Sequence, residues 1–205
     1  MPTSRGIHLS VNTVSTFLAV GAIALSLLVL GIAGLWVVAR VSAGASRALQ
    51  RLADSVQGYG LWLAWFMAVV ATLGSLYYSE VAGFTPCEYC WYQRIAMYPL
   101  AIILGIAAFR RDRAIRIYAI PVAAAGGVIS AYHYMIQHFP SLARGTCDLF
   151  APCSAAYVWK FDFVSIPFMA LVAFASIVTA LALDGPSARA RRSSIDEVSD
   201  SEEDS

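Results

Sequence analysis

Charged residues are scarce in this chain, since only 13% of its 205 residues are Asp, Glu, Lys or Arg while 59% are hydrophobic. An ordinary soluble domain has about 25% charged residues, so the composition excludes that class and indicates several membrane spans. The net charge of +1 offers no basic surface for nucleic acid. Cysteine is scarce too: there are four, in two close pairs, and none lies in the middle of an apolar stretch.

Five apolar stretches are long enough to cross a bilayer, for which about 20 residues suffice. They cover residues 14–39, 60–79, 91–109, 117–137 and 163–183. The first could instead be a secretory signal, but its apolar run exceeds the usual length of about 7–15 residues, so we expect a retained helix. The sequence therefore predicts an all-α integral membrane protein.

Arginine residues indicate on which side of the membrane each loop lies. They are concentrated in the segments 40–51, 110–116 and 189–192, which alternate with the two cysteine-bearing loops. Because positive residues favour the cytoplasmic side, we expect a multi-pass protein of the cell (inner or plasma) membrane. Both cysteine loops are then extracytoplasmic and the C-terminus is cytoplasmic.

The first cysteine pair lies in the segment TPCEYCWYQR, where a polar loop meets the third span. Pro86 suits the first turn of a helix, so the helix should start near Cys87. The positive end of a helix dipole stabilises thiolates, and a Cys-x-x-Cys motif there commonly has a lowered pKa. A redox-active dithiol needs this arrangement, whereas a structural disulfide gains nothing from it.

Arg94 follows Cys90 by one helical turn, so the two residues share a helix face. A guanidinium in this position favours the Cys90 thiolate and can hydrogen-bond an oxygen of a bound ligand. The competing interpretation is an arginine that anchors to lipid headgroups. Because the thiols lie beside it, we favour a role in the site.

The second cysteine pair, Cys147 and Cys153, lies in the sequence CDLFAPC of the loop 138–162. Five residues separate the thiols, which is enough to close a small disulfide loop. Alone such a pair is typical of a structural disulfide, but two disulfides on one side of a membrane protein could exchange by thiolate attack. A zinc site built from all four cysteines is the competing hypothesis. An oxidising compartment disfavours four free thiolates, so we predict no metal.

Three segments carry a family resemblance. CEYCWYQR resembles the redox motif of the DsbB family of quinone-dependent disulfide oxidases, including its Gram-positive BdbC-like members. YHYMIQHFPSLARGTCDL and VWKFDFVSIPFMAL resemble segments further along that family. The resemblance covers about residues 60–183. It implies a four-helix transmembrane bundle, to which this chain adds one N-terminal transmembrane helix and a shorter second cysteine loop than enterobacterial members have.

The resemblance implies a thiol oxidase that reoxidises an extracytoplasmic DsbA-like thioredoxin-fold protein. Two electrons then pass to membrane quinone, either ubiquinone or menaquinone. Carried over by position, Cys147 takes the mixed disulfide with the partner and Cys153 is released to attack Cys87. Cys90 then becomes the thiolate facing the quinone, and Arg94 orients or polarises the quinone.

His133 and Gln137 lie one turn apart on one face of the fourth span. The resemblance implies that both are near the quinone. The alternative is a pair of interfacial polar residues that water satisfies.

The chain is thus predicted to have three parts. Residues 1–58 form the additional helix and a cytoplasmic segment, within which 40–58 is either a short interfacial helix or a linker. Residues 59–184 form the redox domain. Residues 185–205 form a disordered tail, since 193–205 contains six acidic residues and no basic one. The rival functions are a thiol reductase similar to vitamin-K-epoxide reductase and a non-enzymatic scaffold stabilised by disulfides or zinc.

Overall fold

The computed structural model describes residues 4–142 and 152–185. These residues form six α-helices: α1 Ser4–Val38, α2 Ala43–Val56, α3 Gly60–Leu76, α4 Glu88–Arg110, α5 Arg116–His138 and α6 Ile166–Leu183. A π-helical turn, Tyr77–Val81, extends α3. Five segments are long and apolar enough to cross a membrane: Val11–Val38, Gly60–Val81, Glu88–Arg110, Arg113–His138 and Ile166–Leu183. The prediction of an all-α membrane protein with five spans is confirmed. Cys147, the arginines of 189–192 and the acidic segment 193–205 lie outside the described residues.

Most span boundaries differ from the predicted ones by a few residues. The expected helix start near Cys87 is confirmed, since α4 begins at Glu88, three residues before the predicted apolar span. Cys87 is its N-cap, and the Cys87 thiol accepts a hydrogen bond from the backbone N–H of Cys90. Pro86 therefore precedes the cap instead of lying in the first turn. The last span begins at Ile166 rather than at residue 163, with Pro167 in its first turn.

The main apolar core lies between α3, α4, α5 and α6. Its largest fully buried side chains include Phe174, Leu100, Leu104, Ile177 and Leu181. Gly126 of α5 allows the closest approach in this core, since a Cβ atom at that position would lie 2.4 Å from the ring of Phe174. Small residues at helix contacts allow membrane helices to pack closely. α2 buries no residue and lies outside the core.

The bundle has two chemically different ends. α3 and α5 end, and α4 and α6 begin, at the end that holds Cys87, Cys90 and Cys153, which we call the cysteine end. The opposite end holds Arg113 and Arg116, and we call it the arginine end.

Asp184 closes the arginine end. Its carboxylate is buried and accepts a hydrogen bond from the backbone N–H of Gly58 over 2.7 Å. Arg113 lies 3.7 Å from the same carboxylate, and Arg116 donates a 3.3 Å hydrogen bond to the backbone carbonyl of Asp184. These contacts join the C-terminus of α6 to the start of α3 and to the start of α5.

Candidate active site

The first cysteine pair is a free dithiol at the N-terminus of α4. The sulfur atoms of Cys87 and Cys90 are 2.9 Å apart, and Cys87 Sγ is 3.4 Å from the backbone nitrogen of Cys90. Cys87 is buried, whereas Cys90 is half-buried. The hydrogen bond from the Cys90 thiol lowers the pKa of Cys87; burial opposes this shift and a hydrogen bond with His133 adds to it. These contacts at the start of α4 therefore favour the thiolate form of Cys87.

His133 of α5 connects this dithiol to the second cysteine loop. Its ring is buried, with Nε2 3.5 Å from Cys87 Sγ and 3.1 Å from the backbone oxygen of Cys153. Nδ1 is 3.3 Å from the side-chain amide nitrogen of Gln93, which is also buried. Since an amide nitrogen only donates, Nδ1 accepts and Nε2 carries the proton. The Nε2–H group therefore points at the Cys153 carbonyl and at the Cys87 sulfur.

Cys153 lies against the dithiol. It is 1% exposed and packs with Cys87 and Ile136 in one buried cluster. Cys153 is disulfide-bonded. Thiol–disulfide exchange needs the attacking and the attacked sulfur to come together, and this cluster brings the second cysteine loop to the first cysteine pair.

A mostly apolar cavity of about 220 Å³ lies on the other side of the dithiol, between α1, α3, α4 and α6. Cys90, Gln93 and Arg94 line it, but Cys87 does not. An apolar cavity of about 150 Å³ is enough to bind benzene, so this one has room for a substituted six-membered ring. Cys90 therefore faces this cavity, and it also shares with Cys87 a small pocket beside His133.

Arg94 is fixed by contacts inside the protein. Its Nε donates to the hydroxyl of Ser75 over 3.0 Å, and its Nη2 donates to the Ser75 backbone oxygen over 3.3 Å. The guanidinium carbon is 5.2 Å from the centre of the Trp91 ring, within cation–π distance. The Tyr98 hydroxyl donates to the same Ser75 hydroxyl over 3.2 Å. Arg94 is therefore held at the cavity wall by α3.

The structure separates the three predicted ligand-binding residues. Arg94 lines the large cavity together with Cys90. His133 and Gln137 line a small pocket beside Cys87, and neither is among the residues that line the large cavity. The Gln137 amide nitrogen donates to the backbone oxygen of Ala155 over 3.4 Å. The predicted site residue Cys147 lies outside the described residues.

Two residues of the site have no counterpart in the sequence-based prediction. Gln93 could have been found from its spacing, because it follows Cys90 by three residues and residues three apart are neighbours on a helix surface. In the structure it is buried and contacts His133 of α5. Ser75 carries no such signal, since its contact with Arg94 depends on how α3 and α4 pack.

Three side chains of the site, those of Cys87, Cys90 and His133, could also hold a metal ion. The ligand atoms of Cys87, Cys90 and His133 all lie within 4.8 Å of one another. Two thiolates and an imidazole form a set that zinc accepts. This set differs from the four-cysteine site considered from the sequence, because His133 belongs to it and the described cysteine of the second loop does not.

Comparison with known proteins identifies relatives of this arrangement. The family described as "Disulfide bond formation protein DsbB" matches residues 58–183. The chain is 47% identical over 124 residues to "Disulfide bond formation protein C" of Bacillus subtilis (strain 168), a match that covers 60% of this chain and 90% of that protein. It is 48% identical over 125 residues to "Probable disulfide formation protein C 1" of Bacillus anthracis, with the same coverage of 60% and 90%. A "Probable disulfide formation protein" of Coxiella burnetii (strain Dugway 5J108-111) is 42% identical over 120 residues, which is 58% of this chain and 82% of that protein. No solved structure matches the chain significantly.

Proposed function

Because the chain belongs to the DsbB family of disulfide bond formation proteins and is a protein-disulfide oxidoreductase, we propose that it reoxidises an extracytoplasmic DsbA-like thioredoxin-fold protein and passes two electrons to membrane quinone. One observation carries the proposal: Cys90 and Arg94 line the apolar cavity, whereas Cys87 contacts His133 and packs against Cys153. The dithiol stands between a ring-sized cavity and the second cysteine loop, as electron transfer between the two requires.

Electrons enter through the second cysteine loop. A thiolate of the reduced partner attacks Cys147, forms a mixed disulfide there and releases the Cys153 thiolate. Cys153 attacks Cys87, so the Cys87–Cys90 bond breaks and Cys90 becomes a thiolate. The burial of Cys153 against Cys87 supports this step. The second partner thiolate then displaces Cys147, which in turn displaces Cys87 and re-forms the Cys147–Cys153 bond.

Electrons leave through the first cysteine pair. Quinone bound in the cavity would accept two electrons and two protons and leave as quinol, while the Cys87–Cys90 disulfide is restored. Arg94 can donate a charge-assisted hydrogen bond to a quinone oxygen, since Ser75 holds its guanidinium at the cavity wall. The Nε2–H group of His133 stabilises the Cys87 thiolate.

Quinone reduction by a reduced partner tests the proposal. The purified protein should reduce quinone, followed by absorbance, and form one partner disulfide per quinol. Cys90→Ser should abolish quinone reduction. Cys147→Ser should abolish turnover with the partner but leave the Cys87–Cys90 pair oxidisable by quinone. Full activity in Cys87→Ser or Cys90→Ser would favour a structural disulfide instead, and electron flow from the protein's thiols to a non-quinone substrate would favour a reductase.

Topology provides an independent test. The proposal requires the cysteine end to lie outside the cytoplasm, where the partner is found. A reporter fused near Ser141 should behave as extracytoplasmic, and one fused near Arg113 as cytoplasmic. Cytoplasmic labelling near Ser141 would contradict the oxidase function, because a disulfide partner would then sit in a reducing compartment.

The donor set of Cys87, Cys90 and His133 favours a second candidate, a zinc-stabilised membrane scaffold. Elemental analysis of protein purified without chelators separates the two. About one zinc ion per chain, together with no quinone reduction before or after chelation, would favour the scaffold. Quinone reduction by a zinc-free preparation would favour the oxidase.

A further inference from the structure

The large cavity is bounded in part by a helix that the family match does not include. The match covers residues 58–183, whereas α1 spans Ser4–Val38. Five residues of α1 line the same cavity as Cys90 and Arg94: Phe17, Leu18, Gly21, Ala22 and Leu25. The remaining walls come mainly from α3, α4 and α6. α1 is therefore placed to contact whatever the cavity binds.

Specific contacts hold one half of α1, the half nearest the cysteine end, against the bundle. The buried Ser15 accepts a 3.1 Å hydrogen bond from the hydroxyl of Tyr78, and the side chain of Lys160 bonds to that of Asn12. Ala19 is completely buried. Apolar surface alone gives a membrane helix little preference for protein over lipid, so polar contacts and small residues decide where it docks. These contacts therefore fix the position of α1 beside the cavity.

In the described part of the chain, no buried polar side chain joins the other half of α1 to the bundle. Leu27, Leu30 and Trp36 are 66%, 67% and 52% exposed. An α1 that served only as an additional anchor would need no buried polar contact at either end. Among the described residues, the buried polar contact of α1 lies in the half that faces the cavity.

Leu18 and Gly21 both line the cavity, but they leave different amounts of free space in it. A Cβ atom at Gly74 of α3 would lie 3.6 Å from the Cδ1 atom of Leu18, so Leu18 reaches across to α3. At Gly21, one turn further along, a Cβ atom would meet no atom within 4 Å. α1 thus closes the cavity at Leu18 and leaves space in it at Gly21.

We propose that α1 is part of the quinone-binding site, where Leu18 contacts the bound quinone and Gly21 leaves room for its ring substituents or its apolar tail. The inference rests on the proposed quinone-reducing function and assigns to α1 a role in deciding which quinone fits. The occupant is a membrane quinone, because the cavity is mostly apolar and holds one guanidinium and one reactive thiol at its wall.

A tryptophan scan of two glycines of α1 tests the proposal. Gly21→Trp places a ring in the cavity and should raise the KM for quinone by about tenfold or more, as expected when a binding cavity is overfilled. Thiol–disulfide exchange between the Cys87–Cys90 pair and the reduced partner should not change. Gly31→Trp is the matched control, since a Cβ atom at Gly31 also meets nothing within 4 Å and Gly31 is not among the cavity-lining residues. It should behave as the unmodified chain.

The outcomes separate this inference from the function on which it rests. If neither the unmodified chain nor Gly31→Trp reduces quinone, the proposed function is wrong. If both reduce quinone and Gly21→Trp has an unchanged KM, α1 does not belong to the site. Leu18→Ala covers the case in which Gly21→Trp fails to fold, because it removes atoms and cannot clash. It should raise the KM for quinone relative to Leu28→Ala at an exposed α1 position, and equal KM values would overturn the proposal.

Discussion

The two ends of the helix bundle differ in how completely the buried polar groups discussed below are hydrogen-bonded. At the arginine end, the carboxylate of Asp184 is partnered by Gly58 and Arg113. At the cysteine end, the side-chain oxygen of Gln137 and the hydroxyl of Tyr77 are buried and have no hydrogen-bond partner among the described residues. The cavity of about 220 Å³ beside Cys90 also lies there.

This difference indicates that the arginine end contributes mainly to stability and the cysteine end to the redox chemistry. A buried polar group without a partner is costly, so the arginine end, where Asp184 is paired, contributes to holding the helices together. The cysteine end keeps open space beside Cys90, and within the described part of the chain the Gln137 side-chain oxygen next to the thiols has no partner. Two glycines of α3 show the same contrast. A Cβ atom at Gly60 would lie 2.3 Å from the Cβ of Asp184, whereas one at Gly74 would meet Leu18 at an ordinary 3.6 Å.

The largest effect that sharpens this comparison is expected from Arg94→Lys. Lysine keeps the charge but loses the planar fork that bonds to Ser75 and is proposed to reach a quinone oxygen. Loss of one charge-assisted hydrogen bond of about 1.5–3 kcal/mol should raise the KM for quinone roughly ten- to a hundredfold. Expression and membrane insertion should stay normal, and steady-state kinetics at varied quinone concentration measures the effect.

Arg110→Lys provides the control for this variant, because Arg110 is exposed at the arginine end of the same helix. Its KM should match that of the unmodified chain. Ser75→Ala should give a smaller rise than Arg94→Lys, since it removes only the side-chain hydroxyl that holds the guanidinium. An unchanged KM in Arg94→Lys would remove Arg94 from the site and leave it as an anchor.

A smaller effect, on stability alone, is expected from alanine at the two glycines of α3. Gly60→Ala forces a methyl group against Asp184 and the backbone oxygen of Ala180, which should lower the free energy of unfolding by about 1–3 kcal/mol. Gly74→Ala should leave the stability equal or slightly higher, since alanine is the better helix former. Thermal unfolding in detergent compares them, and equal losses in both variants would contradict the difference in packing between the two ends.

The smallest effect is expected from Arg113→Gln. Arg113 is 46% exposed and 3.7 Å from the buried Asp184 carboxylate. Because water screens the guanidinium at this distance, we expect the ion pair to contribute only about 0–1 kcal/mol. Asp184 keeps the hydrogen bond from Gly58 in this variant. A midpoint of thermal unfolding close to that of the unmodified chain is expected, while a large decrease would show that the ion pair, rather than the Gly58 contact, holds the arginine end.

The sequence by itself determined the number of spans and the start of α4. A bilayer accepts only segments of sufficient apolar length whose backbone groups bond internally, so hydropathy finds the helices. The Cys87–Cys90 motif and Arg94 were recognisable because residues three or four apart share a helix face. These are local rules, and each depends on a few neighbouring residues.

Only the tertiary structure decided which helix faces meet. It put Ser75 against Arg94 and Gln93 against His133, and it placed His133 and Gln137 at the small pocket beside the thiols. The same packing seated α1 beside Cys90 and closed the arginine end with Asp184. Such contacts join residues far apart in the chain. They depend on how each helix is rotated about its axis and how closely it packs against its neighbours. The helical repeat and the apolar length of a span do not determine that rotation or packing.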